Sequence, residues 1–398
     1  MKNKSMKNKI FASALALTLT IGAFQLPSYV ANAAETNAPQ LRIKKVLNLP
    51  KEGVSTPNET FTFQFEKHSF NNKDAEKNTL PEIIDKTTAF TEAMKDDMDA
   101  AVNGKQIIKL TDDVLKDVTF TKVGQYTYRV KEKKENINYM AYSGASYLIS
   151  IFTKTGEDGK VKVDSIQIKK EKDDKGVNVT DGKTPYTPGK NDGKGEGNNF
   201  VFNNNYDPKA GNDKPTGKEI TTDDKKGFVL KKEVAGDTPN AHEKFKFSIT
   251  AIKPVGTHNE ENTFKYTVVS NGNAGNQETG TYGTAFNVEL KHGDRVVFGD
   301  VLLGSTVKAD ETDDKGYTKS IGTGSKINGQ DVTDVEKLKQ GLAIGDNASG
   351  NFVNFVNTQQ TPTGILMNHL PFIALVLAAV SGILFFVKNK KEDRNAQA

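Results

Sequence analysis

Apolar and polar residues alternate with a period of two along most of the chain between Leu41 and Asn357. That is the pattern of strands with one buried face. It predicts a first set of strands at Leu41–Leu49, Thr60–Phe65, Gln125–Glu132, Tyr147–Phe152, Lys160–Lys169 and Asn199–Tyr206. A second set is predicted at Phe228–Val234, Phe245–Thr250, Phe264–Val269, Ala285–Leu290, Val296–Phe298, Thr306–Glu311 and Phe352–Asn357. Gly, Asn and Asp clusters separate them, so the expected fold class is all-β, built as β-sandwiches. One stretch breaks the period. Thr88–Val102 spaces Phe90, Ala93, Met94, Met98 and Ala101 for a single helical face, which predicts a short helix covering the first sandwich. Asp207–Lys226 holds Pro208, Gly211, Pro215 and Gly217 among many charges and reads as a linker. Thr180–Gly197 reads as an exposed loop.

The two ends follow other patterns. Lys2, Lys4, Lys7 and Lys9 precede an apolar stretch, Ile10–Phe24, and a small-residue site, Ala31-Asn32-Ala33. This predicts a secretory signal peptide cleaved after Ala33. At the other end Gln360-Thr361-Pro362-Thr363-Gly364 is followed by the mostly apolar Ile365–Val387 and then by Lys388, Lys390 and Lys391. A helix over that run would rise roughly 35 Å, enough to cross a hydrocarbon core, with its basic end kept on the cytoplasmic side. The three-part tail resembles a sortase sorting signal, in the variant form found on pilin backbones. The resemblance implies cleavage between Thr363 and Gly364 and transfer of Thr363 to an amine. The expected division is therefore signal peptide 1–33, first sandwich 34–206, linker 207–226, second sandwich 227–358, and sorting signal, transmembrane helix and basic tail 359–398.

Composition changes this picture in one respect. There is no cysteine. A secreted chain without disulfides must be stabilised by its cores or by some other link, and thiol catalysis and Cys-based metal sites are excluded. Acidic and basic residues are interspersed and the net charge is only +4, which gives no argument for nucleic acid.

The period-two pattern also puts charged residues on apolar faces. Lys45 shares a face with Leu41, Ile43, Leu47 and Leu49, and Lys232 shares one with Phe228, Leu230 and Val234. Glu132 aligns with Tyr126, Tyr128 and Val130, and Glu311 with Val307 and Ala309. Asn204 aligns with Phe200 and Phe202, and Asn357 with Val353 and Phe355. Each half thus turns one Lys, one Glu and one Asn inward, in the same order. Burial lowers the pKa of a Lys and raises that of a Glu. A neutral Lys amine is a nucleophile, and a protonated Glu can polarise an Asn amide and relay protons. Held in contact, the amine can displace ammonia and leave a Lys–Asn isopeptide bond. Such a link closes a long loop, worth roughly 4–5 kcal/mol on the model used for disulfides. An inward Lys can also be a snorkelling side chain, and a Lys–Glu pair a simple buried ion pair. The repetition of order and face favours the reactive reading.

At these residues the chain resembles the backbone (major) pilins of Gram-positive sortase-assembled pili, of the streptococcal T-antigen or FctA type. Leu-Arg-Ile-Lys-Lys-Val-Leu-Asn-Leu resembles the first-strand motif and implies Lys45 as the bond-forming lysine. Gly-Gln-Tyr-Thr-Tyr-Arg-Val-Lys-Glu implies Glu132 as the catalytic carboxyl. Phe-Val-Phe-Asn-Asn-Asn-Tyr implies Asn204 as acceptor, with Asn203 and Asn205 on the wrong face. In the second half the same resemblance implies Lys232, Glu311 and Asn357, with Val-Lys-Ala-Asp-Glu the looser match. The family implies two tandem immunoglobulin-like, CnaB-related domains, each locked by one self-formed bond. It also implies an acceptor lysine for the next subunit, for which Lys194 is the first candidate and Lys190 the second.

The expected function is that of a pilus shaft subunit on the cell surface. Its partners would be a pilin-type sortase, copies of itself, minor pilins and peptidoglycan, with no cofactor and no metal. A monomeric wall-anchored adhesin would share every feature except polymerisation. A surface hydrolase is not supported: the five His form no metal-spaced pair, and no Gly-x-Ser-x-Gly elbow occurs.

Overall fold

The computed structural model describes residues 39–92, 104–210, 227–236, 239–359 and 370–395, with the side chains at 370, 387 and 389–395 outside that set. The chain is mostly β and divides into two halves, each with its own core.

The first half contains β1 (Lys44–Leu49), β2 (Glu59–Phe70), β3 (Lys86–Phe90), β4 (Lys105–Leu110), β5 (Gly124–Glu132), β6 (Ser146–Thr155), β7 (Val161–Lys172) and β8 (Val201–Tyr206). One sheet runs β4-β1-β8, with Met140–Ala141 at its edge; the other runs β3-β2-β5-β6-β7, with Thr184–Pro185 at its edge. Alternate residues of the second sheet face the first and are buried: Phe61, Phe63 and Phe65 on β2, Tyr126, Tyr128 and Val130 on β5, Ile149 and Ile151 on β6.

The second half contains β9 (Phe228–Gly236), β10 (Phe245–Ile252), β11 (Thr263–Ser270), β12 (Asn273–Thr281), β13 (Phe286–Leu290), β14 (Arg295–Gly299), β15 (Thr306–Glu311), β16 (Thr318–Ile321), a short helix α1 (Val335–Gln340) and β17 (Asn351–Gln359). Its larger sheet runs β12-β11-β14-β9-β17, and both β16 and Lys326–Ile327 pair with β17. Its smaller sheet runs β13-β10-β15, with Leu342–Ala343 at the edge. Asp334 caps α1 by accepting the Glu336 N–H at 2.9 Å.

In both halves the first and last strands lie side by side and parallel, β1 with β8 and β9 with β17. A parallel pair cannot be joined by a hairpin. The rest of each half is the crossover between them. The cores are therefore closed at the positions where the chain enters and leaves.

The halves also touch. The Asp346 carboxylate accepts from the Ser55 N–H at 2.8 Å and from its hydroxyl at 2.9 Å. Asp207 accepts from the Thr257 hydroxyl at 2.7 Å. Lys209–Ala210 pair with Val301–Leu302, and Leu303 is buried in the first core. Gly53, at φ +76°, lies where a Cβ would come within 2.1 Å of the Ile344 carbonyl oxygen, so this approach requires glycine.

Two expectations change. The segment read as a helix over Thr88–Val102 begins as strand: Thr88, Ala89 and Phe90 belong to β3, paired with β2 at Phe61, Thr60 and Glu59. The helical spacing was carried by Phe90 and later residues, but Phe90 is buried as part of the pleated sheet, and 93–103 lie outside the described residues. The segment read as a linker from Asp207 is ordered through Ala210, because Asp207 and Lys209 bond to the second half; 211–226 lie outside the described residues. The expected span Ile365–Val387 is partly outside as well. A helix α2 covers Leu370–Asn395 and exposes Phe372, Leu375, Phe385 and Phe386. Among the described residues no helix is long and apolar enough to cross a membrane. The signal peptide and Gln360, Thr361, Pro362, Thr363 and Gly364 also lie outside the described residues.

Candidate functional site

Lys45 is the second residue of β1, between β4 and β8. The parallel register pairs Lys45 with Phe202 and Leu47 with Asn204. Asn204 is therefore two residues along the neighbouring strand from the lysine's own partner, and on the same face. Glu132 ends β5 in the facing sheet, opposite Phe63. All three side chains meet in the core. Lys45 Nζ lies 2.8 Å from Glu132 Oε1 and 2.9 Å from Oε2. Asn204 Nδ2 donates to Glu132 Oε1 at 2.8 Å. The Ser143 N–H donates to Asn204 Oδ1 at 2.6 Å. Lys45 and Asn204 are fully buried and Glu132 is 6% exposed.

The second half repeats this arrangement position by position. Lys232 pairs with Phe355 and Val234 with Asn357 across the parallel β9–β17 pair. Glu311 ends β15 opposite Phe247. Lys232 Nζ lies 2.8 Å from Glu311 Oε2, and Asn357 Nδ2 donates to Glu311 Oε1 at 2.8 Å. The aromatic surround repeats too. Lys45 Nζ stands 4.5 Å over the Phe61 ring and Lys232 Nζ 4.3 Å over that of Phe245. Phe63 contacts Phe202 at 5.0 Å between ring centroids, and Phe247 contacts Phe355 at 5.1 Å. The halves differ at the acceptor oxygen: Asn357 Oδ1 is buried and has no hydrogen-bond partner among the described residues.

Burial governs the electrostatics. Desolvation pulls the Lys45 ammonium down from 10.5 to about 8 against the attraction of Glu132. It does the same to Lys232, also to about 8, against Glu311. Desolvation raises the Glu132 carboxyl, with Lys45 and Asn204 pulling the other way. Each lysine is thereby moved toward the neutral amine that can act as a nucleophile.

The arrangement can close an amide bond. The Lys Nζ lone pair attacks the Asn Cγ, the carbonyl oxygen takes up charge, and Nδ2 leaves as ammonia. The Glu accepts a proton from the attacking nitrogen and gives one to the departing nitrogen, so it ends as it began. A substitution that removes the acceptor leaves the amine titratable. In Asn204→Ala,Asn357→Ala both lysines stay un-cross-linked. The unfolded chain then binds protons up to the ordinary lysine value of 10.5 while folded Lys45 and Lys232 release theirs near 8. Stability of this variant should rise with pH across that window, where the unfolded state holds more protons. The check is the denaturant midpoint at pH 8 and pH 10, with the wild-type chain as control. A slope no steeper than that of the wild type would count against titratable buried amines.

The sequence motifs account for six of these residues but not for Ser143. Its contribution is a backbone N–H, to which residue type gives no clue. The candidate acceptor lysines lie in the loop before β8. Lys194 is half-buried and its N–H donates to Asp192 Oδ1 at 2.8 Å. Lys190 is exposed and its Nζ contacts the Glu196 carboxylate.

Comparison with known proteins adds the following. Residues 41–207 match the family model FctA, described as the Spy0128-like isopeptide containing domain. Residues 226–359 match a family described as a domain of unknown function, DUF7601. A curated protein named "Pilin", from Streptococcus pyogenes serotype M1, is 23% identical over 357 residues, covering 89% of this chain and 92% of that protein. Among solved structures, the major pilin protein T3.2 of S. pyogenes is 18% identical with a TM-score of 0.34, covering 81% of this chain and 98% of its own. The major pilin of S. pyogenes is 19% identical with a TM-score of 0.32, covering 81% and 99%. The resemblance to FctA-type pilins read from the motifs agrees with the family match to the first half and with the curated relative named "Pilin".

Proposed function

We propose that this chain is the structural shaft subunit of a surface pilus, built from two tandem immunoglobulin-like, CnaB-related domains spanning 34–206 and 227–358. Each domain is locked by one spontaneous isopeptide bond, Lys45–Asn204 and Lys232–Asn357, with Glu132 and Glu311 as the carboxyls that drive the chemistry. The observation that carries the reading is the pair of buried Lys–Glu–Asn sets in the same register of equivalent strands. A bond made once per molecule is not enzymatic turnover.

Assembly follows from the ends. The signal peptide directs export, and the apolar run with its basic tail holds the precursor in the membrane. A pilin-type sortase cuts after Thr363 and joins it to a lysine of the next copy, with Lys194 as the acceptor and Lys190 as the second candidate. A head-to-tail link does not close on itself, so it grows a fibre. Minor pilins and peptidoglycan complete the attachment to the wall.

The test is the intact mass of the purified Ala34–Thr363 fragment, followed by the banding of wall extracts. A mass lower by two ammonia molecules and a ladder of detergent-resistant bands are expected. Full mass would overturn the self-cross-linking, and a single band would make the chain a monomeric wall-anchored adhesin.

A further inference from the structure

The two candidate bonds differ at the acceptor's carbonyl oxygen, and that contact has an owner. Asn204 Oδ1 receives the Ser143 N–H at 2.6 Å, whereas Asn357 Oδ1 has no donor among the described residues. Ser143 lies outside the strands, in the short segment before β6. Asp174, in the turn after β7, holds it there. The Ser143 hydroxyl donates to Asp174 Oδ1 at 2.6 Å, and the Gly144 N–H donates to the Asp174 carbonyl at 2.7 Å. The same carboxylate grips the neighbour of the acceptor. Asp174 Oδ1 takes the Asn203 N–H and Oδ2 takes the Asn203 Nδ2, both at 2.9 Å. One side chain thus ties the donor segment to the strand carrying Asn204. Gly144 and Gly176 meet so closely that a Cβ on Gly144 would lie 2.6 Å from the Gly176 nitrogen.

We infer that Asp174 is a positioning residue for closure of the first bond: it aims the Ser143 N–H at the carbonyl oxygen of Asn204, a contact absent at Asn357, so that the first cross-link forms faster than the second. The inference rests on the cross-linking reading above. Attack by Lys45 Nζ on Asn204 Cγ forms the new C–N bond and moves the carbonyl electron pair onto Oδ1. The Ser143 N–H meets that charge as it develops. When the pair returns, the Cγ–Nδ2 bond breaks and Nδ2 departs as ammonia on the Glu132 side, where it is already hydrogen-bonded. A preorganised donor at such an oxygen typically contributes 10²–10³ in rate. In the second half Lys232 and Glu311 supply the amine and the carboxyl alone.

The experiment follows both bonds in the same full-length molecules. The chain is made in a cell-free system, quenched in acid at timed points and digested. The Lys45–Asn204 and Lys232–Asn357 cross-linked peptides are then counted by mass spectrometry. In the wild type the first bond should close at least about tenfold faster than the second. Asp174→Ala should slow the first bond by about tenfold or more and leave the second unchanged, which serves as the internal control for folding and synthesis. Asp174→Asn keeps an oxygen for the Ser143 hydroxyl and the Asn203 N–H, and should close the first bond within about threefold of wild type. Equal wild-type rates, an unaffected Asp174→Ala, equal slowing of both bonds, or failure of Asp174→Asn to rescue would each overturn the inference. Absence of both cross-linked peptides from the wild type would instead overturn the cross-linking itself.

Discussion

Glu132→Ala should leave the mature chain short by one ammonia instead of two, with the Lys232–Asn357 bond made and Lys45 free. Glu132 touches both reacting side chains, at 2.8 Å each, and among the described residues no other carboxylate lies in that contact. A positioned proton relay typically contributes 10²–10⁴ in rate. Its loss should slow the first closure by that factor and leave the bond unmade in the purified chain. A second cost follows. Lys45, fully buried, would lose its ion-pair partner and keep the Phe61 ring beneath it. Breaking one partner of a buried pair is destabilising by roughly 3–5 kcal/mol. Glu132→Gln separates the two effects. It retains a hydrogen-bonding amide in the same space but cannot exchange protons with the amine, so it should also lack the first bond while remaining better folded. Intact mass and thermal melting of the two variants decide this. A Glu132→Ala chain that loses both ammonia molecules would remove Glu132 from the chemistry.

The second large effect is on stability. Lys45→Met and Lys232→Met together should abolish both bonds and lower the melting temperature by roughly 10–20 °C. Each bond closes a loop longer than the 100-residue case, for which the chain-entropy model gives about 4.7 kcal/mol. Methionine fills most of the lysine volume with apolar atoms, so the loss reports the link and not a cavity. A shift of only a degree or two would mean that the cores alone hold the sandwiches.

Most of the strands were legible because one face of each is buried, and burial writes itself into the sequence as a period of two; Lys105–Leu110 and Thr318–Ile321 were not read. For the same reason Lys45, Glu132 and Asn204 could be assigned to the interior before any partner was known. What the pattern does not carry is pairing. That β1 lies beside β8, and β9 beside β17, depends on contacts across the length of each half, and local alternation is silent about them. Strand β12, Asn-Ala-Gly-Asn-Gln-Glu-Thr-Gly-Thr, is almost wholly exposed and is held by backbone bonds to β11, so no apolar rhythm marks it. At Thr88–Phe90 apolar spacing suited a helix, but the backbone groups of Glu59–Phe63 were available for pairing, and the sheet prevailed. Asp174 sits in Asp-Asp-Lys-Gly, which reads as an ordinary turn; its contacts to Ser143 and Asn203 exist only once β7 and β8 have been brought together.

The parallel pairing of entry and exit strands also fixes how a pull on the chain would be borne. In such a pair the start of the first strand and the end of the last point to opposite ends of the ribbon. Tension applied there loads the ladder in shear, with its hydrogen bonds resisting together, and does not unzip them one by one. With the two lysines joined to the two asparagines, the covalent load path runs through Lys45, Asn204, Lys232 and Asn357. Val46–Asn203 and Glu233–Val356 hang outside it as closed loops. Fully drawn out, those segments would have lengthened each subunit by on the order of 900 Å. With both bonds made, a fibre of such chains would strain like a tether of fixed length, because the drawn-out length of both loops would be withheld from it.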